Sequence, residues 1–467
     1  MNQAQLDSAI AHADLVEQAT LDSLKTFLSI ESISTLPAHR THVRMAAEHV
    51  RDELIAIGMQ NVQLIEGIVS DTKHEFPLIQ AEWMNAPGKP VLLLYSHYDV
   101  QPVDPLDKWV SPPFDPVIRN GKLFARGVAD DKGQLWIMLK SIEAYMKTAG
   151  TLPVNIKILF EGEEESDGEH IARYVASKPD WLKDVTSVVV LDGAMFAAGL
   201  PTITNGLRGI VCAEVEVTTL SGDRHSGMDG GAAPNAVREL ARIVAALESD
   251  DGKVLIPGFY DDILAPDALE LASWAKIPFD PKKYQADIGA TELIGDQSVS
   301  VPHRMWGLPT LEVHGIGGGF SEVGFKTVIP AKANAKISMR LVPGMDPAKI
   351  ESAFAAFIAK VTPPQAKSTV RFLGNAPAMV VQTSDQSVQL CAQALRETFH
   401  KDPVYIRCGG SIPIAGQFAR DLNVPILITG FYNEQEANLH APNENFEVAA
   451  FYEGIEAFIR YLYLMGQ

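Results

Sequence analysis

The chain has 467 residues, too many for one ordinary domain and in the range of two or three. Hydrophobic residues make up 46% and charged residues 21%, a balance that excludes disorder and points to a soluble protein with a real core. Its 39 Lys and Arg against 58 Asp and Glu give a net charge of −19, which repels phosphate backbones and anionic membranes and so disfavours nucleic acid and lipid surfaces as partners.

Three cysteines (Cys212, Cys391, Cys408) are an odd, sparse set that cannot build a disulfide framework. The N-terminus has neither the basic nor the apolar region of a signal peptide, and no apolar run approaches the ~18 residues of a membrane span. A cytoplasmic protein is expected.

In chain order, Leu6, Ile10, Leu15, Val16, Leu21, Leu24, Phe27 and Leu28 recur at helical spacing and predict amphipathic helices. Short apolar runs at 91–95, 154–160 and 187–191 have the look of buried parallel strands. A helix-like segment at 133–147 lies between the first two, with Leu135, Met138, Leu139, Ile142, Tyr145 and Met146 on one face. Such alternation predicts an α/β domain. The middle differs: 212–219 and 333–341 alternate apolar with polar, as half-exposed antiparallel strands do, and 234–247 reads as a helix opening on a proline. An inserted α+β domain over 207–383 is expected, after which a core strand at 424–429 resumes the first pattern.

In open α/β sheets, ligands gather at the carboxyl ends of the strands. The first run leads into Ser96-His97-Tyr98-Asp99, where extended alternation puts His97 and Asp99 on one face. One of them suits a metal while the other, or a neighbour, fixes the imidazole tautomer; a satisfied structural histidine is the plainer alternative. In Gly127-Val128-Ala129-Asp130-Asp131-Lys132-Gly133, Asp131 is placed to cap the following helix, leaving Asp130 free to face a metal. The second run leads without a spacer into Glu161, Glu163, Glu164, Glu165, Asp167 and Glu169, six carboxylates in nine residues. A charge run is ordinarily a solvated loop. At the mouth of a sheet, such mutual repulsion instead calls for cations. The third run ends at Asp192, and a late turn, Leu439 to Glu444, supplies His440. Two histidines and three or more carboxylates, with no cysteine, suit a pair of Zn²⁺ or Mn²⁺ ions.

These motifs resemble the co-catalytic metallopeptidases that include aminoacylase and carboxypeptidase G, with the cytosolic nonspecific dipeptidases and carnosinases nearest. The likeness continues in family order through Arg224-His225-Ser226-Gly227, His314-Gly315-Ile316, Lys326-Thr327 and Met339-Arg340-Leu341. It ends with Gly409-Gly410-Ser411 and His440, so it covers nearly the whole chain. It implies one metal on His97, Asp130 and Asp192 and another on Asp130, Glu165 and His440, with Asp130 bridging and the Asp130–Asp131 bond cis. It implies a catalytic domain of largely parallel sheet (1–206 and 384–467) interrupted by a lid (207–383) that makes a homodimer. Glu164 matches the general base acting on a water shared by the metals, whose pKa falls toward ~7. Only the register of Glu163, Glu164 and Glu165 separates base from ligand. Asp99 matches the residue that orients His97. Arg340, Gly410 and Ser411 match a substrate-carboxylate site, to which a guanidinium and a helix N-terminus are suited. His225 and Thr327 match residues that relatives insert into the partner subunit's site, His225 as an oxyanion donor.

One position departs: Cys408 stands where many relatives have an acidic residue, and reads either as an oxidisable thiol or as a small apolar side chain. The glycines from 315 to 319 lack the spacing and context of a nucleotide loop. A two-metal dipeptidase acting on short peptides with a free carboxylate is the leading reading. An N-acyl-amino-acid deacylase is the alternative, and a non-catalytic scaffold the remote one.

Overall fold

A computed structural model describes residues 1–67, 76–166, 168–409 and 412–467. The chain divides into two compact units, one of residues 1–205, 381–406 and 413–467, the other of 206–380 with 407–412. Sequence reading set the crossings at 206/207 and 383/384 and left 407–412 with the first unit.

At the centre of the first unit, Asn155–Glu161, Val91–His97, Ser187–Val190 and Ile426–Thr429 lie side by side and parallel. Every residue of the first three is buried; Val91–Leu94 and Val188–Val190 accordingly run apolar without alternation, while Asn155, Lys157 and Glu161 are buried polar residues in the first. The flanks are antiparallel: Leu78–Trp83 and then Gln60–Ile65 on one side, and the strand from Thr202 on the other. The expected largely parallel sheet is therefore a mixed one with a parallel centre.

Helix Lys132–Ala149 packs against Gln3–Leu15 and Val448–Met465, with twelve of its eighteen residues buried. It starts tightly: a Cβ at Gly133 would lie 2.0 Å from the Val128 carbonyl oxygen, so only glycine fits. The expected N-terminal stripe breaks at Val16, which ends one helix and precedes Glu17–Leu28. Leu6, Leu21, Leu24, Phe27 and Leu28 are buried, whereas Leu15, at the break, is 83% exposed. No helix among the described residues is long and apolar enough to cross a membrane.

The second unit is built on a four-stranded antiparallel sheet in the order Thr310–Gly318, Lys332–Leu341, Gly209–Thr218, Lys367–Ala376. The alternation read from 212–219 takes physical form here. Val211, Ala213, Val215 and Val217 face a core with Leu240, Ile243, Phe354 and Ile358 from the helices Ala236–Ala245 and Pro347–Val361. Burying such an aliphatic side chain contributes about 1.5–3 kcal/mol. The first of these helices is capped by Asn235, whose side chain accepts from the Arg238 amide at 3.1 Å, so Pro234 stands just outside it.

Candidate active site

The strand Val91–His97 carries its last side chain, fully buried His97, to the edge of the parallel centre, where the Tyr98 amide still donates to the Glu161 carbonyl at 2.9 Å. His97 Nε2 lies 3.0 Å from Asp130 Oδ1, and His440 Nε2 lies 2.9 Å from Asp130 Oδ2 and 3.3 Å from Glu165 Oε1. Donor atoms of His97, Asp130 and Asp192 fall within 4.8 Å of one another, as do those of Asp130, Glu165 and His440. The five expected ligands thus come together in two groups that share Asp130, and each of its oxygens faces a different histidine.

The acidic run sorts itself by partners. Glu161 accepts from the Tyr95 hydroxyl at 2.6 Å. Glu163 is taken up by the Phe76 amide at 2.8 Å and by His170. Glu164 and Glu165 face the cluster, the first beside the charges of His97 and Asp130 and the second beside His440. The Glu165 amide donates to Asp99 Oδ2 at 3.1 Å, and Gln101 Nε2 donates to Glu165 Oε2 at 2.7 Å. His97 Nδ1 lies 3.2 Å from the Asp99 carbonyl oxygen and 3.4 Å from Asp99 Oδ1, so Asp99 meets the ring through both groups. Asp167, Gly410 and Ser411 lie outside the described residues.

The peptide bond between Asp130 and Asp131 is cis. Asp131 occupies the N-cap position of the Lys132–Ala149 helix, but its side chain makes no cap bond. Its Oδ2 instead accepts from the Ser96 hydroxyl and, at 3.4 Å, from the His97 amide, which corrects the expectation of a capping aspartate. Sequence reading also missed Glu444. Its fully buried carboxylate accepts from the amides of Gly127 at 2.8 Å, Ala129 at 2.9 Å and Asp130 at 3.1 Å, and pairs with Arg126 at 2.8 Å. Glu444 thereby shapes the loop that presents Asp130. Its place four residues after His440 was the available signal, since the partners come from a distant segment.

Packing this many carboxylates together changes how they hold protons. Burial, with the repulsion of Glu165 and Asp130 added, pushes Glu164 up to about 7. Burial raises Asp131 to about 8, and it raises Asp192 well above the usual carboxylate range, with Asp131 adding to the effect. Burial works against ionised Asp130 too, but the hydrogen bonds from His440 and His97 outweigh it and hold that carboxyl well below its ordinary value. The bonds to Asp130 and Glu165 push His440 up to about 10. The nearby cations are engaged elsewhere: Lys132 Nζ donates to the carbonyls of Phe27 and Ile30, and Arg126 pairs with Glu444. A concentration of acceptor oxygens and imidazole nitrogens, with Lys132 and Arg126 held by other partners and one aspartate facing both ways, fits a pair of divalent cations.

In the second unit, Arg224-His225 pairs with Val328-Ile329, and the Ser226 amide donates to the Thr327 carbonyl at 3.1 Å, which sets His225 and Thr327 side by side and exposed. His225 Nδ1 accepts from the Gly227 amide at 3.0 Å, so the ring's proton sits on Nε2, a donor directed away from its own turn. Arg340 lies on the sheet opposite Ile210 and Thr310. Near it is an arginine that sequence reading passed over: burial and the charge of Arg340 lower the pKa of Arg208. The Arg208 Nε donates to the Gly409 carbonyl at 3.2 Å. Cys408 closes the strand Val404–Cys408, half-buried, its carbonyl accepting from the Arg208 amide at 3.2 Å.

The sequence profile of Peptidase family M20/M25/M40 matches residues 93–464. The chain is 31% identical over 460 residues to the Cys-Gly metallodipeptidase DUG1 of Candida albicans, covering 96% of this chain and 94% of that protein. It is 28% identical over 479 residues to the human Beta-Ala-His dipeptidase, covering 99% and 93%. Among solved structures, human carnosine dipeptidase 1 aligns with a TM-score of 0.79 at 28% identity over 99% of both chains. An M20 family metallo-carboxypeptidase from Sulfolobus solfataricus aligns with a TM-score of 0.82 at 28% identity over 96% and 99%.

Proposed function

We propose, since the chain belongs to Peptidase family M20/M25/M40, that this metallopeptidase is a two-metal dipeptidase acting on dipeptides or short peptides with a free carboxylate. The observation that carries the reading is Asp130, one oxygen toward His97 and the other toward His440, in both candidate ligand groups. His97, Asp130 and Asp192 would hold one ion and Asp130, Glu165 and His440 the other, Zn²⁺ or Mn²⁺ by donor type. When bound, such a pair polarises the scissile carbonyl and brings the pKa of water down toward ~7.

The chain's own groups do the rest. Glu164, beside the ligands and not counted among them, takes a proton from the attacking water and returns it to the leaving amine. Asp99 fixes the ring of His97 and, through the Glu165 amide, the next ligand as well. Arg340, with Gly410 and Ser411, receives the substrate carboxylate. The names of the relatives, which are dipeptidases aligned over nearly the full length, favour dipeptides over acylated amino acids. Turnover of a dipeptide panel beside N-acetyl amino acids tests this; hydrolysis of the acetyl compounds alone would make the chain a deacylase. Three free cysteines fit the reducing cytoplasm.

The same reading makes the enzyme a homodimer in which His225 and Thr327 act in the partner's site. Val323 and Phe325, just ahead of Thr327, are 103% and 92% exposed, apolar surface that a second subunit would cover. The Nε2–H donor of His225 suits an oxyanion, worth ~10²–10³ in rate. Mixed dimers of His225→Ala and Glu164→Ala chains rebuild one whole site from two defective parents. Activity well above either parent is expected once subunits exchange, and none if His225 acts within its own chain.

A further inference from the structure

Outside the catalytic cluster, a second set of metal-ligating side chains lies at the entry to helix Arg40–Ile57. Donor atoms of Glu31, His39 and His42 fall within 4.8 Å of one another, and all three residues are half-buried. His39 Nδ1 is 3.1 Å from the Glu31 carbonyl oxygen and 3.4 Å from Glu31 Oε2. Tetrahedral bonds of ~2.0–2.1 Å place neighbouring ligand atoms ~3.3 Å apart, a spacing this pair reaches once His39 Nδ1 gives up its bond to the Glu31 carbonyl and its proton. The imidazoles of His39 and His42 stand 5.5 Å apart, tilted by 45°. The Nδ1 of His42 is buried and has no hydrogen-bond partner. A buried nitrogen left so is destabilising, and a ligand would offset that cost.

We propose that Glu31, His39 and His42 form a third metal site. Two imidazoles and one carboxylate select a borderline transition-metal ion, with Zn²⁺ as the type case, over Mg²⁺ or Ca²⁺. Water from the exposed side of Glu31 completes the tetrahedron. The site braces the segment behind the catalytic strand. Ile30 takes a bond from Lys132 Nζ at 2.7 Å, Ser32 Oγ donates to the Tyr98 carbonyl at 2.7 Å, and the Val100 amide donates to the Ser32 carbonyl at 3.0 Å. An ion on Glu31 ties these contacts to the start of the helix.

Ion content after Zn²⁺ loading and gel filtration, read by elemental analysis, tests the site apart from catalysis. His42→Ala and Glu31→Gln should each retain one ion per chain fewer than the unmodified protein. The comparison is a difference, so it holds whatever number the catalytic cluster binds. As a check against misfolding, an Asp130→Ala chain should still retain an ion that the Asp130→Ala, His42→Ala double variant loses. Zn²⁺ added to the Asp130→Ala chain should slow amide exchange at Ile33 and Val100, and should not do so in the double variant. Equal ion counts with and without His42, or equal slowing in both, overturn the proposal.

Discussion

At Asp130, two histidines from opposite ends of the chain meet one carboxylate, and the roles of its neighbours follow from which partners remain to them. Glu163 is taken up by Phe76 and His170, whereas Glu161 meets Tyr95 through one oxygen and keeps the other buried and unpartnered; the proposed roles of base and ligand fall to Glu164 and Glu165. Glu165 is the one within 3.3 Å of His440. Glu164→Gln should therefore lower kcat by ~10²–10⁴, the value of a general base, while ion content stays at the unmodified level. Loss of an ion instead would exchange the two roles. Arg340→Ala should weaken free-acid substrates by about 1.5–3 kcal/mol in kcat/KM and leave their amides little changed. Equal losses on acid and amide would take Arg340 out of the carboxylate site. Sequence reading singled out His97, Asp130 and His440, which the fold brings together, because ligand types stood at strand ends or in a turn. It misread Asp131 because a capping aspartate and one bonded to Ser96 look alike until the chain is folded.

Elements were legible where burial is one-sided or complete. The apolar runs at 91–95, 154–160 and 187–191 and the alternation at 333–341 became strands within two residues of expectation. The antiparallel flank was not, because strands such as Gln60–Ile65 are half-exposed, polar at several positions and defined by their neighbours. Equally hidden was the hold of Glu444 on the 126–130 loop, since a carboxylate 314 residues away from the amides it serves leaves no local pattern. That hold is testable. Arg126 is 1% exposed, and Glu444→Ala would leave it buried and unpaired, a loss of about 3–5 kcal/mol by denaturant titration, with weakened metal retention. Glu444→Gln keeps the volume and one acceptor oxygen, so it should cost less than the alanine. If alanine costs no more than glutamine, the loop is held by other contacts.

For the molecule as a whole, a net charge of −19 includes a buried knot of carboxylates, and its stability should depend on both protons and cations. In the chelated protein, Glu164 titrates near about 7 and Asp131 near about 8, above their ordinary values of 4.5 and 3.8. Across that window the folded chain binds more protons than the unfolded one, so stability falls as pH rises. His440, pushed to about 10 from 6.5, acts in the same direction: its contribution is whole below its unfolded pKa and fades as pH climbs through the folded one. Asp130, held low, adds stability that only strong acid removes, below the window. Across the window the shifts of Glu164, Asp131 and His440 all point one way. With chelator present, the melting temperature should be lower at about pH 8 than at about pH 5.5. Zn²⁺ or Mn²⁺ should reverse the order, because the proposed ligands Asp192 and His440, which hold protons in the chelated protein, must lose them to bind, and binding to the folded state alone stabilises it. Thermal melts at both pH values, with chelator and with metal, give four numbers whose pattern decides. A metal-induced rise that is larger at the acid pH would mean that Asp192 and His440 are not where the ions bind.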